Sequence, residues 1–349
     1  MQRQSKFDQL DGPFSASIKI DGLDYLYFGG TAYLGIPQDQ QFIQYYLEGI
    51  KKFGLNNGTS RTNNVQLGIY DRAEEFAAEH FGAEAALITS SGYLAAQLVV
   101  KQLSNFGEVR YAPATHPALW LDENPKIEGT FTDWANQLVD EINTSENNKW
   151  VIISNSMNNL FPEIYDFSFT QKIKKDKQLV LIVDDSHGIG VNNNGLGAYA
   201  KIEQSENVAA VVVASMAKAL GVDAGLILGP LELIKQLKQT EEFFGASPPS
   251  AAGLFAFMNA KDIYASALQK LKENMLLISN ALANNQAWHF IEGFPVFYSK
   301  NAELSHDLIQ KQILVSSFPY PDKNGPIINR IVLSSWHDKN DITKLILAI

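Results

Sequence analysis

From about residue 67 onward, short apolar runs alternate with longer stretches in which apolar positions recur every three to four residues. That spacing predicts helices over Gly68–Phe81, Gly92–Leu103 and Asp133–Asn143, and a further helix closed by Lys172–Lys177. Strands are expected at Ala85–Thr89, Val109–Ala112, Trp150–Ser154 (WVIIS), Leu179–Val183 (LVLIV), Val208–Ala214 (VAAVVVA) and Gly225–Leu228 (GLIL). These runs are continuous rather than alternating, as in strands covered on both faces. Strands separated by helices form an open, mostly parallel α/β sheet. Ser250–Asn284 reads almost wholly helical and links this region to Gly293–Ile349, whose FPVFY and RIVL segments predict a small α+β domain. The expected division is an N-terminal arm over 1–60, a large domain over 61–250, and a linking helix with the small domain over 251–349.

Composition changes this picture only by exclusion. The 349 residues contain no cysteine, which removes disulfides, thiolate metal sites and a cysteine nucleophile. Six histidines show no usable ligand spacing, so no metal site is expected. The net charge of −10 argues against binding nucleic acid or an anionic membrane. The first ten residues carry no apolar signal region, and the apolar stretch Val208–Val222 is too short to span a bilayer. A cytoplasmic protein is expected.

In open α/β sheets ligands sit beyond the carboxyl ends of the strands, so those ends form a search list. After Ala85–Thr89 come Ser90, Ser91, Gly92 and Tyr93, small residues opening a helix whose free N–H groups could cradle a phosphate. After Trp150–Ser154 come Asn155 and, four residues on, Asn159. Leu179–Val183 is followed by Asp184-Asp185-Ser186-His187-Gly188, and Val208–Ala214 by Ser215-Met216-Ala217-Lys218. Taken singly, these are a plain turn, a capping aspartate and a structural histidine. Lys218 differs, because a lysine in apolar sequence must be paired, neutralised or chemically used. Pyridoxal phosphate wants all four together. Lys218 suits a covalent bond to its aldehyde carbon, Asp184 its ring nitrogen, His187 its ring hydroxyl, and the Ser91–Tyr93 turn with Ser215 its phosphate.

Two rival chemistries lack their remaining parts. Ser215-Met216-Ala217-Lys218 fits the S-x-x-K pattern of penicillin-recognising enzymes, but no S-D-N or K-T-G follows. Gly188-Ile189-Gly190 lacks the third glycine of a dinucleotide-binding turn.

VDDSHGIGV (Val183–Val191) followed by VVVASMAKALG (Val211–Gly221) resembles the α-oxoamine synthases of the fold-type-I pyridoxal-phosphate enzymes. AYLGI (Ala32–Ile36), GLNNGTSR (Gly54–Arg61) and ALITSSGYLAAQ (Ala86–Gln97) are similar to further motifs of that family, in the same order. The resemblance covers roughly residues 25–260. It implies a large domain with a mostly parallel seven-stranded sheet, a small C-terminal α+β domain, and a homodimer with a shared active site. The implied chemistry is condensation of an amino acid with an acyl-CoA, as in 8-amino-7-oxononanoate synthase or glycine C-acetyltransferase. It implies that Lys218 holds the cofactor, Asp184 its ring nitrogen and His187 its ring oxygen. It also implies that the backbone of Gly92 and Tyr93 meets the phosphate and that His116, in YAPATHPAL, stacks on the ring.

The departures concern the reaction. Asn155 and Asn159 stand where the family has Glu and Ser, Tyr70 where it has a histidine, and FGASPPS (Phe244–Ser250) keeps only Ser247 for a partner-subunit phosphate contact. The arginine that pairs with the amino-acid carboxylate is replaced within SSFPYP (Ser316–Pro321), at Ser316 and Ser317. An aminotransferase or carbon–carbon lyase acting on an unusual amine, or a cofactor-binding member with altered or lost activity, stays open beside the synthase reading.

Overall fold

The computed structural model describes Phe7 and residues 9–158, 160–320 and 324–349. The chain divides into two compact units. One draws on the described residues of 1–39, 159–163 and 265–349, the other on Gln40–Asn158 and Ile164–Tyr264.

The larger unit is built on six strands: β1 (Ala85–Thr89), β2 (Glu108–Tyr111), β3 (Lys149–Asn155), β4 (Gln178–Asp184), β5 (Val208–Ser215) and β6 (Gly225–Gly229). Their order in the sheet is β1-β6-β5-β4-β3-β2. The pairs β2/β3, β3/β4 and β4/β5 are parallel, while β6 runs antiparallel to both β5 and β1. Five strands therefore point one way and β6 is reversed. Residues 151–153, 179–183 and 210–214 are buried, as their unbroken apolar runs require.

Around the sheet lie α1 (Gln40–Phe53), α2 (Ile69–Phe81), α3 (Gly92–Leu103), α4 (Phe131–Thr144), α5 (Leu231–Leu237), α6 (Glu241–Gly245) and α7 (Ala251–Asn259). Ala95, Leu98, Val99 and Leu103 of α3 pack into one core with Val151, Ile153, Val180, Ile182, Val211 and Val213. This packing fixes the start of α3 against the sheet.

Three expectations change. The sheet has six strands among the described residues, not seven: the link from Leu119 to Phe131 contains Asp122, Glu123, Asn124, Pro125 and Gly129 and offers no apolar run of strand length. Lys172–Lys177 does not close an α-helix. A short 3-10 turn, Phe167–Lys172, capped by the Asp166 carboxylate on the Ser168 N–H, stands there, and lysine-rich turns follow it. Finally, the long helical stretch is two helices, α7 and α8 (Lys261–Leu282), separated at the buried Ala260.

In the other unit, Ser17–Ile20, Leu23–Phe28, Ile313–Pro319, Ile327–Val332, Val296–Ser299 and Trp288–His289 form a second six-stranded sheet in that order. Leu23–Phe28 runs parallel to Ile313–Pro319, and the remaining pairs are antiparallel. Two further helices, α9 (Leu304–Ile309) and α10 (Lys339–Ala348), complete it. Within the described part of SSFPYP, Ser316 lies directly across from Arg330, which is buried with its guanidinium 5.2 Å from the Phe318 ring centre. Among the described residues no helix is long and apolar enough to cross a membrane.

Candidate active site

The carboxyl ends of β1 to β5 bring the candidate residues to one edge of the sheet. Ser91 and Gly92 follow β1, His116 follows β2, Asn155 ends β3, Asp184 ends β4, and Ser215 ends β5 with Lys218 three residues on. Gly225, at the start of the reversed β6, pairs with Thr89 on one side and Ser215 on the other. The reversal therefore joins the turn after β1 to the end of β5.

That junction has no spare room. A Cβ on Gly92 would fall 2.6 Å from Ser215 Cβ and 2.7 Å from its Cα, and a Cβ on Gly225 would fall 2.1 Å from the Ser91 carbonyl oxygen. The Ser91 hydroxyl caps α3 by accepting from the Leu94 N–H at 3.1 Å, and such a cap is worth about 1 kcal/mol. The Ser91-Gly92-Tyr93 start of a twelve-residue helix is thus locked in place, its first backbone N–H groups outside the helix's own hydrogen bonding. Ser91 and Tyr93 are both exposed. Gly92→Ala is expected to force this turn away from Ser215. The cost should be about 1–3 kcal/mol of stability, read from the denaturant midpoint.

The charged groups are electrostatically coupled. Lys218 is half-buried, and desolvation pushes its pKa down against the opposing pull of the Asp184 carboxylate. His116 is exposed, yet the protein around its ring lowers its pKa, with Asp184 working against that shift and Lys218 adding to it. His116 Nδ1 accepts from the Ala118 N–H at 3.1 Å, which leaves the ring proton on Nε2. Asp184 Oδ1 accepts from the Ser186 N–H at 2.8 Å, and the Ser186 hydroxyl accepts from the Ser215 N–H at 2.9 Å. Those two bonds tie the ends of β4 and β5 together. His187 is half-buried in the turn after Asp184. Asn159 lies outside the described residues.

Asn155 acts on the loop that carries His116. Its Oδ1 accepts from the His116 N–H at 3.0 Å, and its Nδ2 donates to the Ala114 carbonyl at 2.7 Å, where Ala114 holds a left-handed φ of 55°. Asn155→Asp would set a carboxylate oxygen against that carbonyl. The expected cost is about 1–3 kcal/mol in urea unfolding.

The motif residues away from this edge also meet. Arg61 pairs with the buried Glu74 at 3.1 Å, and Lys238 takes the other Glu74 oxygen at 2.6 Å. The loop 55–60, Tyr70 and Ser247 line one cavity of about 470 Å³, and within its lining the Tyr70 hydroxyl donates to the Pro249 carbonyl at 3.3 Å.

The chain that brings these residues to one sheet edge also matches the sequence model of a known family. Its sequence model, "Aminotransferase class I and II", matches residues 35–349. The chain belongs to the aminotransferase class I and II family. An 8-amino-7-oxononanoate synthase from Petrotoga mobilis is 26% identical, over 95% of this chain and 89% of the relative. A serine palmitoyltransferase from Sphingomonas wittichii superposes at a TM-score of 0.81 with 15% identity, over 99% of this chain and 92% of that one. A serine palmitoyltransferase variant from S. paucimobilis, solved with a bound adduct of PLP and myriocin, reaches 0.83 with 17% identity, over 97% and 90%. The fold of this family member is that of these enzymes.

Asp185 and Ser186 stand in the sequence only as part of the run after β4, and Gly225 only as the first residue of a strand, with no role legible for any of them. Glycine opening a strand is the signal that could have found Gly225, since glycine there marks close backbone approach. Asp185 is 1% exposed, and burial pushes its pKa up to about 7. The neighbouring Asp184 charge pushes it further in that direction, while the Ser156 hydroxyl and the Ala198 N–H act the other way. In the unfolded chain this carboxyl ionises near 3.8, whereas the folded protein keeps its proton to about 7. The folded state therefore binds the extra proton between those values, and Asp185 costs stability as pH rises through that window. The interval is worth up to about 4 kcal/mol. Asp185→Asn is expected to gain stability relative to wild type as pH is raised from 4.5 to 8, read by urea titration. A pH-independent difference would contradict this.

Proposed function

We propose that the chain is a pyridoxal-phosphate-dependent acyltransferase of the α-oxoamine synthase type, condensing an amino acid with an acyl-CoA. The observation that carries this reading is the coupling of Lys218, Asp184 and His116 at one sheet edge beside the Gly92 cradle. The full-length similarity to 8-amino-7-oxononanoate synthase adds to it. The residues fit the cofactor. The bare backbone of Gly92 and Tyr93 at the helix start is suited to its phosphate, Asp184 to its ring nitrogen, His187 to its ring oxygen and His116 to its ring face. Bound there, pyridoxal phosphate supplies an electron sink for negative charge developing at the amino-acid α-carbon.

The protein supplies the rest. Asp184 keeps a proton on the ring nitrogen by its negative charge. Lys218, held below its ordinary pKa by desolvation, has a larger neutral fraction with which to take the α-proton. Asn155 and the Ser186–Ser215 bond hold His116 and Lys218 in register with Asp184. Cytoplasmic location and a homodimer with a shared site belong to the same proposal and rest on the family resemblance.

The replacement of the expected arginine by Ser316 favours one second reading, amine transfer or carbon–carbon cleavage on a substrate without an ordinary α-carboxylate. The deciding experiment presents the cofactor-loaded enzyme with single amino acids and acyl-CoA thioesters and follows release of free CoA thiol. Thiol release dependent on one amino acid supports the synthase. Absence of thiol release, with amino transfer to 2-oxoacids instead, supports the second reading.

A further inference from the structure

A cavity of about 300 Å³ is lined by Ser156, Tyr165, Phe167, Asp185, Lys201 and Ile202, among others, and by none of Lys218, Asp184, His187 and His116. Its volume is at the small end of the range for ligand pockets. Asp185 is 1% exposed and Ser156 4%; the Ser156 hydroxyl lies near enough to the carboxyl to lower its pKa, yet neither Asp185 Oδ1 nor Ser156 Oγ completes a well-aligned hydrogen bond among the described residues. Asp185 Oδ2 accepts from the Ala198 N–H at 2.7 Å, and no described lysine or arginine forms an ion pair with the carboxyl. The carboxyl is packed closely against two glycines, since a Cβ on Gly188 would fall 2.2 Å from Oδ1 and one on Gly197 2.2 Å from Oδ2. The walls are firm: Tyr165 stacks on Phe131 at 4.1 Å and Phe167 meets the same ring edge-on at 5.5 Å.

The geometry points to a binding site for a small monocationic amine with an apolar body, separate from the catalytic edge. Its ammonium would pair with Asp185 and hydrogen-bond Ser156, while its body packs on Tyr165, Phe167 and Ile202. With Asp185 ionised, the charged side chains lining the cavity, Asp185 and Asp166 against Lys201, sum to one negative charge, which one cation balances. A carboxyl poised to ionise near neutral pH favours that partner over a neutral one.

A tertiary amine isolates this site, because it cannot form an imine with the cofactor. N,N-dimethylbenzylamine and its neutral analogue benzyl methyl ether are titrated into the holoenzyme by calorimetry and ligand-observed NMR. The amine is expected to bind at least tenfold more tightly than the ether, with the cofactor's visible absorbance unchanged. Asp185→Asn should remove that preference, and Ser156→Ala should weaken the amine severalfold. Equal affinity for amine and ether in the wild-type protein, absence of saturable amine binding, or full affinity in Asp185→Asn would each overturn the proposal. The wild-type comparison needs no variant to fold. Every readout is binding rather than turnover, so failure here leaves the acyltransferase reading intact.

Discussion

Lys218→Ala is expected to abolish borohydride-stable attachment of the cofactor and to reduce turnover on the order of 10³-fold or more. The reasoning starts from the strand. β5 is an unbroken apolar run, and the turn after it carries the buried Met216, Ala219 and Leu220 on either side of Lys218. An ammonium there is desolvated, which is why its pKa is lowered. Truncating it removes a poorly solvated charge and leaves its apolar neighbours in place, so the fold should survive. The chemical loss is complete, because no other amine stands at that position. Lys218→Arg makes the control: it keeps positive charge beside Asp184 but has no amine able to bond an aldehyde carbon. Intact-mass measurement after borohydride reduction should show the added cofactor mass on wild type alone. The same mass on either variant would sink the assignment.

Asp184→Asn should leave the fold and cofactor affinity close to wild type while lowering turnover about 10²–10³-fold. An asparagine oxygen still accepts from the Ser186 N–H, so the bond that shapes the turn after β4 is kept. Only the charge is lost. That charge opposes the lowered pKa of both Lys218 and His116, so the variant should show both groups titrating lower still. Two readouts follow. The exchange of the amino-acid α-proton should slow with turnover, and the pH dependence of the residual rate should shift to lower pH. Wild-type exchange rates, or a fall in turnover with no shift in pH profile, would contradict the role of the carboxylate.

The positions of these two residues were legible in the sequence because they follow the most strongly patterned strands. LVLIV and VAAVVVA are continuous apolar runs ended by a charged or small residue, and the structure places β4 and β5 there with one or two added terminal residues. His116 was found only through its motif, since β2 is short and half-buried and carries little periodic signal. The two-helix break at Ala260 leaves no mark in the sequence, because alanine is a strong helix former. Lys172–Lys177 misled because lysine-rich sequence favours helix while the turn is decided by Asp166 and by burial of Phe167 and Phe169. Asn155 could be seen at a strand end, but its two bonds to the His116 loop join residues about forty positions apart.

By itself, then, the sequence determined the alternation of buried strands and helices, and with it a mostly parallel sheet whose carboxyl ends carry Gly92, Asp184 and Lys218. Local pattern suffices for that, because a strand covered on both faces needs an apolar run and a parallel neighbour needs a helix to return the chain. Tertiary structure alone decided the reversal of β6, the wedge of Gly225 between Ser91 and Ser215, and the desolvation of Asp185 between Gly188 and Gly197. It also decided the pairing of Leu23–Phe28 with Ile313–Pro319. Most of these contacts join segments remote in the chain, and the environment of Asp185 depends on how its turn packs. Their energies are those of close packing and lost solvation, which only the assembled chain creates.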